Sequence, residues 1–494
     1  MRKRLVAPLA LTVAAAVAMG GCSGSGSSGE DKLKPLGKDE QATIKVMFYD
    51  ESAFFQEYGS LFISKFPNID VQVVNMQTLY NTGVYTEDSI YKFIDQQKPD
   101  VLMLSPDQYE KMATDGKLYE LDSVIKQDKF DTEGIQPAIL KLLRDKGNGT
   151  LYGLSPSFSN SALFYNKDLF EKYGIEPPTD SMSWDEILTL AERFPTDGSD
   201  KDRIYGFGVQ NYGSIIDMAY QIGSTNGLRV LSPDGSQVTM NTDAWKQVFQ
   251  TVAKAAASKA IRLPSNNMAN GSMTMEEYYN RDPFISGKTA MYVGYSYDVQ
   301  NIKQAKSSMP DKKLNWGIVT APVDPNNRGQ SNSFSLSNVF AVNAQSPNLR
   351  AAWEFVKYID SEDFARVKSK SSNSGNLLSR TAYNPDVDGV SLEPFYKLEP
   401  VSDPVYSLDK APASFYGLFM PILQDELQAV IDGKKTLDEA SADIQSRAQE
   451  ALVKAKKQDE EAKAKQQASA ASADVSSGSA AASASASASA TDEP

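Results

Sequence analysis

The sequence predicts an α/β protein in which buried strands alternate with helices. Three stretches carry that prediction. Thr43-Ile44-Lys45-Val46-Met47-Phe48-Tyr49 alternates as a strand does. Phe54 to Phe66 places Phe54, Phe55, Tyr58, Leu61, Phe62 and Phe66 at helical spacing. Asp100-Val101-Leu102-Met103-Leu104 is a continuous apolar run, as expected of a parallel strand covered on both faces. Repeats of this kind wind into a sheet whose ligands bind beyond the C-terminal strand ends.

The remaining elements follow in order. Pro67-Asn68 stops the first helix, and Val71-Gln72-Val73-Val74 is the second strand. Asp88 to Gln97 forms the second helix. Helices are predicted over 183–194, 214–222, 242–258 and 275–280. Strands are predicted at Leu163-Phe164-Tyr165, Ala290-Met291-Tyr292-Val293, Trp316-Gly317-Ile318-Val319 and Val339-Phe340-Ala341-Val342. Leu349 to Ile359 is a helix with Ala352, Phe355, Val356 and Ile359 on one face. Ile422 to Ile431 is another, Gly433 ends it, and Leu437 to Val453 is the last. There is no short-period repeat.

The two ends differ from this body. Arg2, Lys3 and Arg4 precede the apolar run Leu5 to Met19, then Gly20, Gly21 and Cys22. The run is short for a membrane span, which needs about 20 residues, so residues 1–21 read as a secretory signal. Cys22 is the single cysteine of the chain. Met19-Gly20-Gly21-Cys22 resembles a bacterial lipoprotein box, with Cys22 as the lipidated first residue. The Gly/Ser stretch within 22–39 reads as a flexible tether. At the other end, residues 456–494 become Ala/Ser-rich and lack aromatic residues, so they read as a disordered tail.

Composition removes whole classes of chemistry. The chain has no histidine, which excludes Ser-His-Asp and Cys-His nucleophiles and His-Glu-x-x-His zinc sites. With 50 basic and 63 acidic residues the net charge is −13, and no basic stripe offers phosphate contacts for nucleic acid. One cysteine permits no internal disulfide. No cofactor is implied.

Several stretches together resemble the bacterial extracellular solute-binding proteins of the maltose-binding type (family 1). They are Lys98-Pro99-Asp100-Val101-Leu102-Met103-Leu104 with Gly116-Lys117-Leu118-Tyr119-Glu120-Leu121, then Leu151-Tyr152-Gly153-Leu154-Ser155-Pro156. Ala162 to Phe170, Gly174-Ile175-Glu176-Pro177-Pro178 and Ser183-Trp184-Asp185-Glu186 follow. Gly287-Lys288-Thr289-Ala290-Met291, Ala351 to Val356 and Asp432 to Ala440 complete the set. Their order covers nearly all of 40–455. The resemblance implies a two-lobed, periplasmic-binding-protein-like fold, each lobe a mixed or parallel sheet flanked by helices and built from discontinuous segments. Residues 40–156 with about 336–400 would form lobe 1, and 160–333 with about 405–455 lobe 2. The chain would cross between lobes near Ser155–Asn160 and Ser333–Asn338, and closure about those crossings would bury the ligand.

In such a fold the ligand meets the loops at strand ends. Asp50 and Glu51 follow the first strand; Ser105, Asp107 and Gln108 follow the third. Phe158 and Asn160 lie at the first crossing and Asn338 at the second. Tyr295, Tyr297 and Asp298 follow the 290–293 strand, and Tyr416 precedes the helical pair. Carboxylate and amide groups suit sugar hydroxyls, and aromatic rings suit the apolar sugar face. Tyr297 stands where sugar-binding relatives often carry a stacking tryptophan. Each of these residues has a plainer reading as a solvated loop or lobe contact, and Trp184 reads as a packing residue.

Asn384, Asp386 and Asp388 with Gly389 resemble half a calcium loop, but Phe395 holds the twelfth position, where a glutamate belongs. A turn is the better reading, with no metal expected.

The function implied is an extracellular lipoprotein that captures a solute by lobe closure, an oligosaccharide by the resemblance, and delivers it to an ABC-type importer. It would act as a monomer at the outer face of a Gram-positive cell membrane, its partners being that ligand and the permease subunits. A two-carboxylate glycosidase, or a sensory or adhesive lipoprotein on the same fold, stays open at this point.

Overall fold

The computed structural model describes residues 32–37, 39–81, 86–199, 202–209, 214–263, 273–371, 375–401, 408 and 410–487. The signal segment and Cys22 lie outside the described residues. Two five-stranded sheets, each flanked by helices, define two lobes.

The first sheet runs Ile69–Asn75, Ala42–Phe48, Val101–Leu104, Val339–Val342, Gly153–Leu154. Its first three strands are parallel, and Val339–Val342 joins antiparallel, with Phe340 opposite Met103. Every residue of Val101–Leu104 is buried, which is why that stretch is continuously apolar. Phe48 stacks on Phe340 at 6.4 Å, and Phe54, Phe62 and Phe355 close the core around them.

The second sheet runs Trp316–Thr320, Ser161–Asn166, Thr289–Tyr295, Tyr205–Gly208, Ile261–Arg262. It is mixed: Ser161–Asn166 is antiparallel to both neighbours, whereas Tyr205–Gly208 is parallel to both of its own. Helices Ile215–Thr225, Asp243–Ala257 and Phe415–Ile431 pack a core around Trp245, Phe249, Phe419 and Leu423.

Between them lies a three-stranded sheet, Ser335–Leu336, Ser157–Ser159 and Leu377–Leu378. Ser159 pairs with Ser335 and Phe158 with Leu336, so two chain crossings are hydrogen-bonded to each other. Leu377–Leu378 adds a third segment to that joint. Glu399–Pro400 then pairs with Gln330–Ser331.

Several elements differ from the sequence prediction, among them helix Phe415–Ile431, which begins before the predicted Ile422 and so takes in Tyr416. The first helix begins at Glu51 and carries a wide turn over Phe55–Gly59, where a Cβ on Gly59 would lie 2.6 Å from the Phe54 and Phe55 rings. The last helix is Leu437–Ser487 and continues past Lys456, where an unstructured tail is predicted. Its last core residue is Ala455. Asp459 still accepts from Ala413 N and Ser414 Oγ, both at 2.7 Å. Alanine is the strongest helix former, which favours helix in this Ala-rich stretch. No helix among the described residues is long and apolar enough to cross a membrane.

Candidate functional site

The site is a groove of two joined compartments at the C-terminal edge of the second sheet. The larger, about 420 Å³, is lined by Phe207–Val209 and Thr289–Tyr295 residues of neighbouring parallel strands, with Asp217, Gln221, Tyr278, Asp282, Tyr297, Asp298 and Asn301. The smaller, about 350 Å³, is lined by Trp184, Tyr220, Ser224, Thr225, Asn332 and Ser333 among others. Gln221, Val293 and Tyr295 belong to both linings.

Local chemistry explains how these side chains are presented. Thr289–Tyr295 ends where helix Ser296–Ser308 begins, and Tyr295 N donates to Asp298 Oδ2 at 2.9 Å. That cap uses backbone and carboxylate, leaving both tyrosine rings outward. Tyr295 and Tyr297 stack at 5.6 Å with planes 12° apart, and both are exposed, at 39% and 45%. Gly375 closes on Tyr297: at φ +73° a Cβ there would lie 2.7 Å from Tyr297 Cβ. Ser214 caps helix Ile215–Thr225, and Asp217 completes the capping box through Ser214 N at 2.6 Å.

The electrostatics follow from burial. Asp282 accepts from Phe284 N and Ile285 N at 2.8 and 2.9 Å, yet burial pushes its pKa above the carboxylate norm. Burial likewise raises the Tyr220 hydroxyl, with Tyr416 and Asp217 adding to the shift. The Tyr220 hydroxyl is buried without a hydrogen-bond partner among the described residues.

Of the residues predicted from sequence, Tyr295, Tyr297 and Asp298 come together here. Tyr416 is exposed on the first turn of Phe415–Ile431, within electrostatic reach of Tyr220 but outside both linings. The others are engaged elsewhere. Asp50 caps helix Glu51–Phe54 through Ala53 N at 2.8 Å, with Glu51 exposed beside it. Ser105 and Gln108 form a capping box at the start of helix Pro106–Thr114, so a predicted ligand loop is a helix N-terminus. Asp107 pairs with Lys146 at 3.4 Å. Phe158 is fully buried against Phe334, at 5.8 Å. Asn160 is buried and ties the crossings: it donates to Phe395 O and accepts from Ser161 N and Ser333 Oγ. Asn338 accepts from the Tyr49 hydroxyl at 3.1 Å, and its carbonyl accepts from Ser155. None of these lines either compartment except through Asn160's partner Ser333.

Sequence reasoning missed Asp217, Tyr220, Gln221, Tyr278 and Asp282. The spacing Ser214-x-x-Asp217 was the one legible signal, since it marks a helix start. Trp184 packs on Phe207 and donates to Thr225 Oγ1 at 3.1 Å. Asn384 bonds both backbone groups of Leu378, and Asp388-Gly389 turns the chain between the bridged Val387 and Val390, with Asp388 paired to Lys306 at 2.9 Å. Among the described residues, no group of three acidic or thiol side chains is placed to hold a metal ion.

Two lobes, joined by paired crossings and carrying a groove at strand ends, define a two-lobed binding protein. The profile of the bacterial extracellular solute-binding protein family matches residues 38–365, and the chain belongs to that family. A binding protein of Brucella abortus is 25% identical over 256 residues, 48% of this chain and 57% of that protein. The chain thus spans little more than half the length of that relative. The sn-glycerol-3-phosphate-binding periplasmic protein of Escherichia coli K12 is 22% identical over 67% of this chain and 73% of that one. Among solved structures, the sugar-binding protein MalE of Xanthomonas citri superposes with TM-score 0.58 at 17% identity, covering 83% of this chain and 98% of that chain. An ABC substrate-binding protein of Listeria monocytogenes in complex with cycloalternan gives 0.53 at 19% identity, covering 84% and 99%. These likenesses show the shared fold.

Proposed function

We propose that this protein is an extracellular receptor that captures a carbohydrate in the two-compartment groove and hands it to an ABC-type importer. The observation that carries this reading is the exposed Tyr295–Tyr297 stack, 5.6 Å between rings, standing beside carboxylate and amide groups in one compartment. Stacked rings offer flat apolar faces to a sugar ring, and Asp298, Asn301 and Gln221 offer acceptors and donors to its hydroxyls. The paired crossings at Ser157–Ser159 and Ser335–Leu336 would serve as the hinge for closure. Combined linings of about 420 and 350 Å³ suit more than one sugar ring. Family membership and the sugar-binding proteins among its structural neighbours support the same reading.

Cys22 would carry the lipid that holds the receptor at the outer face of the cell membrane, and the receptor would work as a monomer. Asp50, Glu51 and Asn338, at the first lobe's strand ends and crossing, would approach the ligand on closure. The binding clause is checked by thermal-shift measurements on a carbohydrate panel: a sugar should raise the melting temperature. A shift with peptides alone would remove the carbohydrate clause. Mass spectrometry of the mature N-terminus checks the anchor, which requires a diacylglyceryl mass on Cys22.

A further inference from the structure

We propose that the larger compartment takes the amine-bearing part of a cationic carbohydrate and turns away phosphorylated or carboxylated solutes. This rests on reading the groove as a carbohydrate site. Among the described residues its lining holds three carboxylates, Asp217, Asp282 and Asp298, and neither compartment is lined by a Lys or Arg. The chain has no histidine.

Two of the carboxylates keep an oxygen in reserve. Both bonds to Asp217, from Ser214 N and Ser214 Oγ, use Oδ2. Both bonds to Asp282 use Oδ1. Among the described residues the other oxygen of each has no hydrogen-bond partner. Arg262 and Lys312 act on Asp282 through space, but no ion pair joins them to it and neither lines the compartment. A third group points independently to a ligand. Thr289 is fully buried and lines the same compartment, and among the described residues its Oγ1 has no hydrogen-bond partner. An unpaired buried hydroxyl is costly, so a ligand polar group is its natural complement.

The physical argument is direct. An ammonium group in this compartment meets free carboxylate oxygens as charge-assisted acceptors and the faces of Tyr295 and Tyr297 as cation–π partners. It would also favour the charged form of Asp282, against which burial works. A phosphate or carboxylate would meet like charge at short range, with Arg262 and Lys312 set back from the described lining. An anionic ligand, such as the one in the name of the E. coli relative, would find neutral donors in this lining but no Lys or Arg among its described residues.

The test is titration calorimetry of the full mature protein at pH 7 with three matched probes: the glucosamine trimer, maltotriose and the galacturonic acid trimer. The glucosamine trimer is expected to bind about tenfold more tightly than maltotriose, or better, and the uronic acid trimer to give no heat. Added NaCl should erode the amine's lead and leave maltotriose unchanged. Asp282→Asn and Asp217→Asn should each lower affinity for the glucosamine trimer about tenfold. If Asp217→Asn fails to fold, Asp282→Asn and the salt titration decide. Equal binding of maltotriose and the amine, or binding of the uronic acid, overturns the proposal. Binding of spermidine with no sugar binding would keep the charge preference and remove the carbohydrate reading. No binding of any probe, spermidine included, overturns both.

Discussion

Asp128 and Asp282 show how differently the two lobes treat a carboxylate. In the first lobe Asp128 receives Arg350 at 2.8 and 2.9 Å, Lys357 at 2.9 Å and Trp353 Nε1 at 3.0 Å. Burial works to raise its pKa, but bonds from Arg350, Lys357 and Trp353 outweigh that and hold it down at about 2. In the second lobe Asp282 receives two backbone N–H groups, and burial raises its pKa. The first carboxylate fastens helix Asp122–Asp128 to helix Leu349–Ile359. The second borders a groove. A carboxylate that joins two segments takes cations from its own chain, whereas Asp282 takes only backbone donors among the described residues.

The same contrast holds for strand-end loops. Asp50, Ser105 and Gln108 are used locally, because a helix begins immediately after each strand and its free N–H groups need acceptors. Tyr295 and Tyr297 also sit at a strand–helix junction, but there Asp298 does the capping and the rings stay free.

Four variants would break or sharpen this comparison. Phe158→Ala should cost about 3–5 kcal/mol of stability by denaturant melt, because Phe158 is core. A loss of ligand affinity with unchanged stability would return Phe158 to the binding surface. Asp128→Asn should cost about 3 kcal/mol at pH 7, since it leaves Arg350 and Lys357 short of a partner. The sign with pH follows from the depressed pKa. Asp128 contributes fully above its unfolded value near 3.9, and the contribution is lost as pH falls towards about 2. The variant's stability should therefore fall less steeply than the wild type's below pH 4.

Tyr297→Ala should weaken binding of the captured sugar by about 1–2 kcal/mol, roughly tenfold, in calorimetry. Its melting temperature without ligand should barely move, because the ring is half exposed. Ser105→Ala should cost about 1 kcal/mol of stability as a lost N-cap and leave affinity unchanged. An affinity change there, with stability intact, would show that the first lobe's caps also serve the ligand.

Legibility followed the range of the interactions. Val101–Leu104 and Val339–Val342 were readable as continuous apolar runs and Leu349–Ile359 by its helical period, each enforced by burial. The capping box at Ser183 and Glu186 was readable because it spans three residues. Tyr295, Tyr297 and Asp298 were readable once the strand before them was placed. Asp217, Asp282 and Thr289 were not. They meet because Tyr205–Gly208 lies parallel to Thr289–Tyr295, with Phe207 opposite Met291. That pairing joins positions more than 80 residues apart, and no local pattern encodes it.

By itself, the sequence determined the alternation of strands and helices, the capping box at Ser183 and Glu186 and the absence of histidine chemistry. Each is a property of neighbours along the chain or of composition. Tertiary structure alone decided which polar side chains were consumed by their own helix and which were left facing a groove. A side chain's partner is set by what packs against it, and here those partners arrive from distant strands.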